Sequence, residues 1–313
     1  MSESGDSQFN TTPLYIALAL AILLVVGVLI GAKVVYTSAA SQPVGMTTLD
    51  APEAGSQECQ DFLTALPKKV LGHKRAEIAD PAPEGAAAYA SNSVEQVTLR
   101  CGISLPLQYT EVSPLTEVDG MKWLQVVDAT PGSTMQTWYS IDTFPAVAVT
   151  ADAESIGRAD NPVSDLDVAM GKLKQQHSTP HAIPLTELDA PQANNEQCLA
   201  LRHSLPAELG EGYTRDTNAP ADIAVWTKPG QEPIVIRCGV TDPEGYTPGA
   251  QLNQVDQVTW FQDTTLANGT TSGAYFALGR DIVVAMSMPT GAGNTAIVTL
   301  SKAIAANTKA KQA

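Results

Sequence analysis

IVIRCGV, Ile234–Val240, has an echo in VTLRCGI, Val97–Ile103. Both are short apolar runs of β type carrying the same Arg-Cys-Gly, and each reads as a strand. Working outward, TLDAPEAGSQEC from Thr48 to Cys59 answers ELDAPQANNEQC from Glu187 to Cys198. Leu66-Pro67 answers Leu205-Pro206, and Tyr89 answers Trp226 at the same distance before the arginine. Val118-Asp119 and Trp123 answer Val255-Asp256 and Trp260, and Trp138-Tyr139 answers Tyr275-Phe276. So many registered matches mean two homologous domains from one duplication. The reading places repeat domain 1 at 48–178, a linker at 179–186, repeat domain 2 at 187–306 and a tail at 307–313.

Each copy shows the same order of elements. Cys59, Phe62, Leu63 and Leu66 fall on one face of a short helix that Pro67 ends, and Cys198, Leu201 and Leu205 repeat the pattern before Pro206. A short strand around Arg75–Ile78 precedes the Arg-Cys-Gly strand. Met121–Val127, Met135–Ile141 and Ala146–Thr150 read as further strands, answered by Val258–Gln262, Gly273–Leu278 and Ile282–Ser287. A second helix closes each domain. Ser164 and Asp167 would form a capping box before Leu166, Ala169, Met170 and Leu173, and Asn294 would cap the stripe Ile297, Leu300 and Ile304. The expected fold class is α+β: in each domain an antiparallel sheet of about four to five strands packed by two helices.

The four cysteines, Cys59, Cys101, Cys198 and Cys238, allow three connectivities. The repeat selects among them, because each copy owns one pair at near-equal spacing. Cys59–Cys101 and Cys198–Cys238 are the expected bridges, each closing a loop of roughly 40 residues. Disulfides imply an oxidising compartment. Zinc-type spacing with nearby histidines is missing, so neither a metal nor a cofactor is expected.

The N-terminal residues 1–13 are polar and carry no Lys or Arg, and an unbroken apolar run follows from Leu14 to Ala32. At about 1.5 Å per residue it spans a hydrocarbon core, so 14–35 reads as a transmembrane helix and 36–47 as a Ser/Ala/Pro/Gly linker off the membrane. A cleaved signal peptide is the rival, with Ser38-Ala39-Ala40 as its cleavage site, but the first residues lack its positive charge. Lys33 alone would vote for a cytoplasmic C-terminal side. The cysteine pairs outweigh it, which puts residues 1–13 in the cytoplasm and both domains outside. Gly27 and Gly31 form a GxxxG that permits close helix approach, and hence a homodimer.

The chain carries 33 acidic residues against 18 basic ones, a net charge of −15. That excludes nucleic acid as a partner, since nothing here neutralises a phosphate backbone. No GxSxG, SxxK, HExxH or Walker loop occurs. His73, His177, His181 and His203 share no registered position, and His177 and His181 read as solvated linker residues. Gly291–Thr295 lies between a strand and a helix, where backbone N–H groups can hold an anion, though a plain connection is the simpler reading. Arg100 and Arg237 sit inside apolar strands and need partners. The registered Asp119 and Asp256 are the candidates for structural ion pairs; the alternative is a ligand gripped by a guanidinium. Tyr89, Trp123, Trp226 and Trp260 read as core aromatics, with a ligand groove as the alternative.

The run Cys198, Leu205-Pro206, Trp226, PIVIRCGV, Val255, Trp260 and GRDIVV resembles an actinobacterial family of extracytoplasmic proteins known only as domain of unknown function 3515. The resemblance covers most of 195–305 and, more loosely, 56–175. Copy one departs from it at Tyr89, where the family favours Trp, and at Asp142-Thr143, where copy two has Gly279-Arg280. It implies an anchored extracytoplasmic protein and no assigned activity. The reading that results is a membrane-anchored, non-enzymatic envelope protein binding a partner protein or cell-wall component. Alternatives are an envelope hydrolase with an unrecognised site and a small-molecule or lipid carrier.

Overall fold

The computed structural model describes residues 12–40, 42–266 and 269–311. Helix α1, Thr12–Ala40, contains a 22-residue stretch, Leu14–Val35, long and apolar enough to cross a membrane, none of it buried against the rest of the chain.

Domain 1 follows with α2 (Gln57–Ala65), β1 (Lys69–Val70), β2 (His73–Ala76), β3 (Ala86–Ala90), β4 (Gln96–Cys101), β5 (Leu115–Val118), β6 (Met121–Val127), β7 (Gln136–Ser140), β8 (Thr143–Phe144), β9 (Val147–Ala151), α3 (Ala153–Ile156), α4 (Asp167–Met170) and β10 (Lys174–Gln175). Domain 2 has α5 (Glu196–Ser204), β11 (Thr214–Asp216), β12 (Ile223–Lys228), β13 (Gln231–Cys238), β14 (Leu252–Val255), β15 (Val258–Asp263), β16 (Ser272–Leu278), β17 (Val284–Pro289) and α6 (Gly293–Asn307). The main sheets are antiparallel, ordered β1-β2-β3-β4-β9-β7-β6-β5 and β11-β12-β13-β17-β16-β15-β14. The α+β class holds, but the sheets have eight and seven strands in place of four to five. The extra strands are ones that alternation cannot reveal. β3 is AAAYA and buried on both faces, while β5 (LTEV) and β14 (LNQV) are short, largely exposed edges.

One face of each sheet carries the helices. Ser56 caps α2 by accepting from Cys59 N at 3.3 Å, and Asn195 caps α5 by accepting from Gln197 N at 2.9 Å. Phe62 of α2 packs in one cluster with Tyr89, Leu99, Trp123 and Leu166, all fully buried; Leu201 of α5 and Leu300 of α6 share another with Trp226, Trp260 and Met286. Burying each such side chain stabilises the fold by about 1.5–3 kcal/mol. The closing helices differ from expectation. Ser164 does not cap: its hydroxyl donates to Asn161 Oδ1 at 2.9 Å, and a 3-10 turn, Ser164–Leu166, leads into the single turn of α4. In domain 2 α6 is a true 15-residue helix, but Asn294 lies inside it and Ala292 precedes it without a side-chain cap.

The opposite face is covered by the chain that enters each domain. Val44 is buried among Ala88 and Ala90, and Ile183 among Ile223, Val225 and Val235. Residues 44–47 and 183–186 are therefore packed straps, a correction to the linkers expected at 36–47 and 179–186: Val44 and Ile183 provide apolar area that a free linker would leave in water.

The Arg-Cys-Gly motif organises both layers. Cys101 bonds Cys59 on α2, and Cys238 bonds Cys198 on α5. Gly102 (φ +83°) and Gly239 (φ +81°) lie so close to the backbone that runs on from each strap, at Glu53-Ala54 and Gln192-Ala193, that a Cβ would overlap it. Their carbonyls accept from Glu53 N and Gln192 N, each at 3.1 Å. The arginine turns to the strap itself: Arg100 Nη2 donates to Thr47 O at 2.5 Å, and Arg237 Nη1 to Thr186 O at 2.7 Å. Three consecutive residues thus tie strand, strap and helix together, twice.

Candidate functional site: the cleft between the repeats

The path between domains is pinned along its length. Ser178 N donates to Ile141 O at 2.8 Å and His181 N to Tyr109 O at 2.8 Å. His177 Nδ1 lies 2.7 Å from Asp142 Oδ1, so His177 is a tie to domain 1 rather than a free linker residue. Val112 of domain 1 joins the cluster of Ile183, Ile223, Val225 and Val235 on the second sheet. From the other side, the β12–β13 hairpin tip reaches back. Gly230 O accepts from Val127 N at 2.8 Å, and a Cβ on Gly230 would lie 2.6 Å from Val127 Cγ2.

These contacts enclose a cleft of about 320 Å³. Leu107, Gln108 and Thr110 of domain 1 form one wall, and 181–188 another; the start of β13, parts of β16 and β17, and Leu266 complete it. The lining is mostly apolar, with Leu107, Ile183, Leu188, Pro233 and Leu266 prominent. Among the described residues its charged and titratable members are Glu232, Glu187 and His181, with no Lys or Arg. Glu232 is held in place: Oε1 accepts from Thr271 N (2.8 Å) and Thr271 Oγ1 (2.6 Å), and Oε2 from Ser272 Oγ (2.5 Å). Its backbone carbonyl accepts from Tyr213 OH at 3.2 Å, and burial, then the nearby Glu232 and Glu211, pushes that phenol well above its usual range. Ser287, 4 % exposed, also lines the cleft, and no hydrogen bond joins its hydroxyl to another described residue.

The arginines singled out in the sequence do not line this cleft. Arg237 pairs with Asp222 at 3.0 Å, and also donates to Leu185 O and Leu188 O. Arg100 makes no ion pair among the described residues, because Gly85 stands where domain 2 has Asp222. Burial lowers the Arg100 pKa, and the nearby Tyr139 opposes that shift. The expected pairs Arg100–Asp119 and Arg237–Asp256 do not form. Asp119 (φ +52°) and Asp256 (φ +53°) instead occupy hairpin turns, which favour Asp at a left-handed position. Registration in both copies reflected turn chemistry.

The aromatics are core residues. Tyr89 OH donates to Pro67 O at 2.6 Å and Trp226 Nε1 to Pro206 O at 3.0 Å, so each reports on the Leu-Pro that ends its helix. Trp260 Nε1 donates to Ser301 Oγ of α6 at 2.9 Å; Trp123 Nε1, under the short α4, is buried without a partner. The glycine turn before α6 is filled from within the chain, since the Glu211 carboxylate lies where a Cβ on Gly293 would be. Among the described residues no three His, Cys, Asp or Glu side chains gather as a metal site requires.

A model of the family described as "Protein of unknown function (DUF3515)" matches residues 18–179 and again 167–313. The chain belongs to the DUF3515 family. It contains the family's domain twice, and the second match begins at α4 of the first. No curated protein and no solved structure matches the chain.

Glu232, Ser287 and the Val127–Gly230 contact were not found from the sequence. Glu232 has Glu95 at its register position and stands in no motif. The turn Lys228-Pro229-Gly230-Gln231 was a usable signal, because Pro-Gly marks a tight hairpin tip.

Proposed function

We propose that this tandem DUF3515 protein is a single-pass membrane protein with both domains outside the cytoplasm, acting as a binding protein through the cleft its repeats share. The observation that carries this reading is the cleft itself: mostly apolar, lined by both domains and the pinned chain between them, and at the lower end of the size range of small-molecule sites, about 300–1,000 Å³. The two disulfides and the apolar α1 support the location. A carrier of the kind expected would hold its ligand between sheet and helices; that space is filled by Trp226, Trp260 and Met286, so the cleft on the other face is the better candidate.

Two measurements test the proposal. Protease added to wall-stripped cells should degrade the region after Val44 and leave α1 with the N-terminus; protection of both domains would reverse the topology. A photoreactive residue at Leu107, in the cleft wall, should cross-link an envelope component in intact cells, and one at the exposed Val168 should not. Equal labelling from both positions would remove the cleft from the argument.

A further inference from the structure

We infer that the cleft binds a small monocationic ligand, an ammonium group on an apolar stem, with Glu232 as its counter-charge and the Ser287 hydroxyl as a second polar contact. The inference rests on the binding role proposed for the cleft. Its chemistry comes from what the cleft presents. Apolar walls from Leu107, Ile183, Leu188 and Leu266 favour burial of a hydrocarbon stem. A carboxylate has about four acceptor positions, and Glu232 uses three on Thr271 and Ser272. The three donors fix its orientation and leave acceptor capacity over. They are all neutral, so the charge has no cation against it among the described residues. Glu187 adds a second negative charge, and His181 is the one basic side chain among the described residues of the lining. An anionic ligand would meet two carboxylates and no Lys or Arg, which disfavours it. A neutral ligand would leave the preset carboxylate unused. Ser287, buried on β17 with no hydrogen bond from its hydroxyl to another described residue, can accept from an ammonium as well as donate.

The test uses the full chain in zwitterionic lipid nanodiscs with empty nanodiscs as the blank. Three probes of one stem length, hexylammonium, 1-hexanol and hexanoate, are titrated calorimetrically. Hexylammonium should bind about tenfold or more tighter than 1-hexanol, as a charge-assisted contact at a preset carboxylate implies, and hexanoate should bind weakest. Glu232→Gln should erase the preference for hexylammonium over 1-hexanol. Leu107→Trp, at an exposed wall position, should block all three probes. Equal binding of hexylammonium and 1-hexanol, or a preference that survives Glu232→Gln, overturns the cationic ligand, while a cleft that Leu107→Trp still blocks stands. If no probe shows saturable binding that Leu107→Trp removes, the cleft is not a small-molecule site and the proposed function falls with it.

Discussion

Arg100 and Arg237 occupy one register position in two copies, yet their partners differ. Arg237 holds the carbonyls of Leu185, Thr186 and Leu188 as well as Asp222, whereas one carbonyl, Thr47 O, receives Arg100. Removing Arg237 leaves several carbonyls of a packed strap unsatisfied. Arg237→Ala should therefore cost about 2–3 kcal/mol, and Arg100→Ala about 1 kcal/mol, read from the unfolding of the full chain in denaturant. Asp222→Asn should cost less than about 1 kcal/mol, because that carboxylate is 42 % exposed and solvent screens the pair. Asp119→Asn and Asp256→Asn should change stability by no more than about 0.5 kcal/mol, since Asn suits the same left-handed turn position. A large loss at Asp256 would restore the ion pair that the geometry denies.

At the scale of elements, the disulfide and the strap act on opposite faces of one strand. The loops closed between Cys59 and Cys101 and between Cys198 and Cys238 have sequence separations of 42 and 40. In the chain-entropy treatment each bridge destabilises the unfolded chain by about 4 kcal/mol. Replacing one pair by alanines should accordingly lower the melting point of the full chain, and the two pairs should have nearly equal effect. Peptide mapping without reductant should recover those two bridges and no free thiol; a bridge between copies would contradict the fold. These elements were legible in the sequence for a physical reason. The helices bury one face, so their periodicity shows, the central strands are covered on both faces and show as continuous apolar runs, and the duplication paired the cysteines. The straps were not legible, because Val44 and Ile183 stand among Ser, Pro and Thr and declare themselves only against a sheet face. The cleft was hidden for a related reason: Leu107, Glu232 and Leu266 come from three distant segments, none of which carries a local pattern. Trp123 and Trp260 read alike in sequence, but only the longer α6 brings a serine to the indole.

For the whole molecule, the decisive question is whether the repeats move as one body, because the cleft requires both. The hairpin tip at Gly230 offers a direct measurement. Gly230 (φ +75°) needs a left-handed backbone and has Val127 Cγ2 of the other domain where a Cβ would go, at 2.6 Å. Gly249 (φ +92°) has the same backbone demand but open space around it. Alanine at either site should cost about 1–2 kcal/mol through backbone strain alone. Gly230→Ala alone must also push Val127 away and weaken the 2.8 Å hydrogen bond between Val127 N and Gly230 O. The full chain should melt in one calorimetric transition, Gly249→Ala should shift it, and Gly230→Ala should split it into two. Adding Val127→Ala to Gly230→Ala makes room for the new methyl group and should restore coupling, a non-additivity expected only of residues in contact. Equal behaviour of Gly230→Ala and Gly249→Ala would mean that the domains are joined by their chain and not by this interface, and a cleft built from both could not then hold its shape.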